Sequence, residues 1–88
     1  MIYRIDWNRW PSLFRSYVER LGAERQITLD DSFALSELAD AARLSRDELQ
    51  AAVDGRRVLS EIEAVDLAAA LGVPARELVS FRPALREL

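Results

Sequence analysis

The side chains able to do chemistry in this chain are carboxylates and arginines. Its 88 residues include no histidine and no cysteine. That removes imidazole general bases, thiolate nucleophiles, disulfides and zinc sites of the usual kinds. Acids cluster at Asp30-Asp31, at Asp47-Glu48 and at Glu61 with Glu63. Such carboxylates act as an acid and base pair only when they share a pocket. Nothing in their spacing indicates one, and each cluster lies near an expected helix start, where the helix dipole favours negative charge. The chain is therefore not read as an enzyme, and no metal or cofactor is implied. All twelve basic residues are arginine and none is lysine, a bias of composition that says little about mechanism.

The elements that must position these charges are clearest between Glu37 and Leu78. Two helices are expected there, Leu35 to Ala42 and Arg46 to Asp54. Leu38, Ala42, Leu44, Leu49 and Ala52 converge between them at helical spacing, and Ala39 allows the two backbones to cross closely. Ser45 is placed as N-cap of the second helix, with Glu48 completing a capping box and Asp47 in the first turn. A tight turn at Arg43-Leu44 joins the pair. Ser60 and Glu63 form a second capping box ahead of Ile62, Val65, Ala68, Ala69 and Leu71, with Gly72 ending that helix. Pro74 starts a short helix through Val79, and Pro83 argues against one continuous terminal helix. Leu85 and Leu88 are left to pack back or fray.

At these residues the chain resembles the lambda-repressor-like helix-turn-helix family, the Cro and XRE type of regulator. The likeness takes in Glu37-Leu38-Ala39, Leu44-Ser45, Gly55-Arg56-Arg57 with Ser60, and Leu71-Gly72-Val73 with Glu77-Leu78, and it covers roughly residues 34 to 80. It implies an all-α, compact five-helix domain whose helix 46–54 enters the major groove of double-stranded DNA. Arg46, Asp47, Gln50 and Ala51 match the positions from which the family reads base edges. Arg46 would bind guanine, Asp47 cytosine N4, Gln50 adenine and Ala51 a thymine methyl, with Ser45 at the helix start and Arg56 and Arg57 on phosphates. Arg43 stands where the family usually has glycine. Either this residue adopts a positive φ, or the turn differs.

Charge distribution bears on that reading. Residues 1–27 carry five arginines against three acids, residues 28–55 two against seven, and residues 56–88 five of each. The expected reading helix lies in the most acidic third of a chain whose isoelectric point is about 4.9, whereas nucleic-acid affinity rests largely on neutralised phosphates. The alternative is a protein-binding module, antitoxin-like or an inhibitor of a host or defence complex, on a helix-turn-helix scaffold that has lost DNA binding.

Length and a 50% hydrophobic content suit one domain with a single modest core. No apolar run reaches the roughly 18 residues of a membrane span, and Met1-Ile2-Tyr3-Arg4-Ile5-Asp6 lacks a signal peptide's apolar region, so a cytoplasmic protein with no membrane association is expected. At the start of the chain, Met1, Tyr3, Ile5 and Trp7 alternate with Ile2, Arg4 and Asp6, the pattern of a short strand. A lone strand in a helical chain has no partner, which makes Tyr3, Ile5, Trp7 and Trp10 a candidate homodimer or protein interface. An extended arm covering the core is the other reading. Pro11 suits the first turn of a helix carrying Leu13, Phe14, Tyr17, Val18 and Leu21 on one face, with Gly22 as its stop. Thr28 and Ser32 are both candidate caps for the helix that follows.

Overall fold

The computed structural model describes residues 3–81. They run in the order β1 (Tyr3–Ile5), α1 (Trp10–Arg25), α2 (Asp31–Ala41), α3 (Arg46–Val53), α4 (Glu61–Leu71), α5 (Ala75–Leu78) and β2 (Val79–Phe81). The result is compact and mostly helical. One core holds it together, and Leu38, Leu49, Leu59, Leu67 and Leu78 are its largest fully buried side chains. α2 is the central element. It packs against α1, α3 and α4, while α4 also packs against α5 and α1.

The initial strand is present, and it has a partner within the chain. β1 and β2 pair antiparallel, with Tyr3 opposite Phe81, Arg4 opposite Ser80 and Ile5 opposite Val79. On its other side the Tyr3 N–H donates to the Leu59 carbonyl at 3.2 Å, and the Leu59 N–H donates back at 2.8 Å. This corrects the expectation of an unpaired strand. It also corrects two of the four interface residues: Ile5 and Trp10 lie in the chain's own core, Tyr3 packs against that core, and Trp7 alone of the four is fully exposed. β2 escapes sequence reading because three residues are too few to display a period. Met1, Ile2, Pro83, Leu85 and Leu88 lie outside the described residues.

Helix boundaries differ from expectation at the end of α1 and the start of α2, and by one residue at the ends of α2 (Ala41, not Ala42), α3 (Val53, not Asp54) and α5 (Leu78, not Val79). α1 continues through Gly22 to Arg25 and ends at Gln26, whose φ of 58° is left-handed. Gly22 instead serves a close approach. A Cβ there would lie 2.8 Å from the Ile27 carbonyl oxygen, so the chain can fold back over this point only if the side chain is absent. α2 begins at Asp31, not at Leu35. Its cap is neither Thr28 nor Ser32 but Asp30, whose carboxylate accepts from the Phe33 N–H at 2.7 Å. The extra turn appears because Ala34 and Leu35 are both buried and anchor it. α5 ends at Leu78, where the backbone becomes extended and pairs with β1. Among the described residues, no helix is long and apolar enough to cross a membrane.

Candidate nucleic-acid interface

α3 is set by the local devices read from its sequence. The Ser45 hydroxyl accepts from the Glu48 N–H at 3.0 Å, and the Glu48 carboxylate accepts from the Ser45 N–H at 2.9 Å. This reciprocal pair satisfies two backbone donors at the helix start. The preceding turn uses Arg43 at φ 63°, with the Leu44 N–H donating to the Ala39 carbonyl at 2.9 Å. Of the two turns considered, the one with a positive φ at a residue carrying a Cβ is the one formed. It holds because Ala42 and Leu44, on either side, are both buried.

With Leu49 and Ala52 buried, helical geometry turns Asp47, Gln50 and Asp54 to the opposite face and leaves Arg46, three residues before Leu49, on the flank at the helix start. Arg46, Asp47 and Asp54 are exposed, and Gln50 is half-buried. The Arg46 guanidinium donates to the Ser32 hydroxyl of α2 at 2.7 Å, linking the starts of the two helices. At the far end, Asp54 accepts from Gln50 at 3.0 Å and from Arg56 at 3.1 Å. These bonds, Arg56 first, hold the Asp54 carboxyl below its ordinary range. Arg4 reaches across from β1 to the Gly55 carbonyl at 3.3 Å. The carbonyl end of α3 therefore carries a cation from a distant part of the chain.

Arg57 is differently placed from Arg56. Its guanidinium makes a fork-to-fork pair with Glu63, at 3.2 and 2.9 Å, and lies 3.7 Å from Glu48. Glu63 is held below the usual carboxylate range by Arg57 first and by the Ser60 N–H second, and the pairing raises Arg57 further. Two capping glutamates thus converge on one arginine and tie the start of α3 to the start of α4. Ser45, Arg46, Asp47, Gln50 and Arg56 remain on accessible surface, Ala51 is half-buried, and Arg57 is engaged internally. The face also includes Ser32, Asp54 and Arg4, which sequence reading passed over. Only the four-residue spacing of Gln50 and Asp54 left a local signal.

The acid clusters sit where helix starts place them. Asp30 and Asp31 open α2, Asp47 and Glu48 open α3, and Glu61 and Glu63 open α4. Among the described residues, no group of three or more potential ligands could hold a metal ion. No family model, no curated protein and no solved structure matches the chain.

Proposed function

We propose that this protein is a sequence-specific DNA-binding regulator of the lambda-repressor-like helix-turn-helix class, acting in the cytoplasm with α3 in the major groove. The observation that carries the reading is the α2–turn–α3 unit. Its second helix buries Leu49 and Ala52 and turns Asp47 and Gln50 outward, with Arg46 on the flank at the helix start. Arg46 is the guanine reader, and its bond to Ser32 aims the guanidinium from the helix start; Gln50 and Asp47 supply the neighbouring contacts. Arg56 exchanges its exposed pair with Asp54 for a phosphate.

Selection from random duplexes at low salt tests the proposal. An enriched sequence is expected, with binding that weakens steeply as salt rises. Arg46→Ala is expected to cost about 1–3 kcal/mol and to relax preference at one base position. If no sequence is enriched, the DNA reading fails.

One observation favours the second reading, a protein-binding module. Glu48 at the start of α3 and Glu63 at the start of α4 neutralise Arg57, which leaves an acidic surface suited to a basic protein partner. Retention of a basic protein by the immobilised chain, lost on Asp47→Arg, would select it.

A further inference from the structure

α4 is apolar on two sides. Ala64, Leu67, Ala68 and Leu71 are buried. On the opposite side Ile62 is 73% exposed, Val65 51%, and Ala69 is exposed as well. Contiguous exposed apolar side chains mark an interaction surface, so the outer stripe of Ile62, Val65 and Ala69, flanked by Glu61 and Asp66, is a surface made to be covered. Half-exposed Val58 precedes the helix and Val73 follows it.

We infer that a second copy of this chain covers the stripe, with the two α4 helices antiparallel across a twofold axis beside Val65. The spacing of the stripe is self-complementary. A dyad midway between Val65 and Asp66 brings Ile62 of one copy against Ala69 of the other and Val65 beside its own equivalent. Each large side chain thus meets a small one or its twin, as close helix packing requires.

Charge fits the same arrangement. Glu61, on one flank at the helix start, faces the partner's Gly72 corner. There the Arg20 guanidinium donates to the carbonyls of Ala70 and Leu71 at 3.2 and 3.4 Å, and it would lie 2.9 Å from a Cβ on Gly72. An acid at each helix start is therefore opposed by an arginine at the other's end, and the antiparallel dipoles add to the attraction. Asp66 occupies the other flank and approaches its own equivalent, which keeps the association weak. This dimer does not depend on DNA binding, and it replaces the strand-mediated one excluded by the pairing of β1 with β2.

Sedimentation of the full chain without DNA tests it. A concentration-dependent dimer in the micromolar range is expected. Val65→Asp, at a position already half-exposed, should raise the dissociation constant at least about tenfold while leaving the helical signal intact, because it places two carboxylates at the axis. Asp66→Asn should lower it several-fold. The chain has no cysteine, so crosslinking reads the register directly. Val65→Cys should form a disulfide-linked dimer by itself, whereas Ile62→Cys should crosslink with an Ala69→Cys partner in preference to itself. A monomer at every concentration overturns the proposal. If Leu85→Asp with Leu88→Asp then produces a dimer, the stripe is covered by the chain's own last residues. A dimer indifferent to Val65→Asp, or Ile62→Cys crosslinking mainly to itself, overturns it equally.

Discussion

α3 and α4 begin alike and end with different surfaces. Each opens with a serine cap and a glutamate three residues on, in a closed capping box, and each buries one apolar stripe. The outward face of α3 carries Asp47, Gln50 and Asp54, with Arg46 on its flank, whereas that of α4 carries Ile62, Val65 and Ala69. The shared device fixes where each helix starts and leaves its exposed face unconstrained. The outward residues are thus where the two helices diverge: α3 presents polar and charged groups, whereas α4 presents an apolar stripe flanked by Glu61 and Asp66.

Three comparisons put pressure on that contrast, beginning with the buried stripes. Leu49 of α3 and Leu67 of α4 are both fully buried. Truncation of either to alanine should cost about 2–5 kcal/mol by denaturant unfolding. Leu67→Ala should cost more, because α4 is packed by α1, α2 and α5 and its cavity has fixed walls, while the shorter α3 can shift to fill the gap. A larger loss at Leu49 would make α3, not α4, the structural centre.

The caps should differ in a smaller way. Ser45→Ala and Ser60→Ala should each cost about 1 kcal/mol, with the larger loss at Ser60 because its partner Glu63 also holds Arg57. The same coupling gives a pH dependence. Glu63 has a folded pKa below its ordinary value of 4.5, so its contribution is complete above that value and is lost as pH falls through the lowered one. Acid titration of Glu63→Gln should show a shallower loss of stability below about pH 4.5 than the parent. An unchanged slope would mean that the Arg57–Glu63 pair contributes nothing to linkage.

The smallest effects are expected at the backbone on either side of α3. Arg43 and Gly55 both have positive φ, 63° and 81°. Arg43→Gly should stabilise the fold by several tenths to about 1 kcal/mol in denaturant unfolding, because relief of strain exceeds the added freedom of the unfolded chain. Gly55→Ala should cost a similar amount through backbone strain alone, since nothing lies within 4 Å of the added Cβ. A loss at Arg43→Gly would show that the arginine side chain holds the turn.

Much of the candidate face was legible from local order. Ser45, Glu48, Ser60, Glu63, Gly72 and the buried set from Leu38 to Ala52 follow from capping and helical period, which act within a few residues. At the start of α2 the sequence offers Thr28 and Ser32 as equally plausible caps, and burial of Ala34 and Leu35 decides for a third residue, Asp30. Arg57 reads in the sequence as a phosphate contact, because its pairing with Glu63 depends on how closely the starts of α3 and α4 approach. Arg4 was invisible as a neighbour of Gly55, being 51 residues away in the chain.

The sequence by itself determined that the chain is predominantly helical, where α3 and α4 start, that the turn at Arg43 must be tight, and that conventional histidine and cysteine chemistry is absent. These depend on composition and on hydrogen bonds between near neighbours. Tertiary structure alone decided that the initial strand closes on Val79–Phe81, that Ile5 and Trp10 belong to the core, that Arg57 is held by Glu63, and that Ile62 and Val65 on the outer side of α4 stay exposed among the described residues. Each of these depends on which distant segments come to lie side by side, and a pattern repeated over three or seven residues carries no record of that.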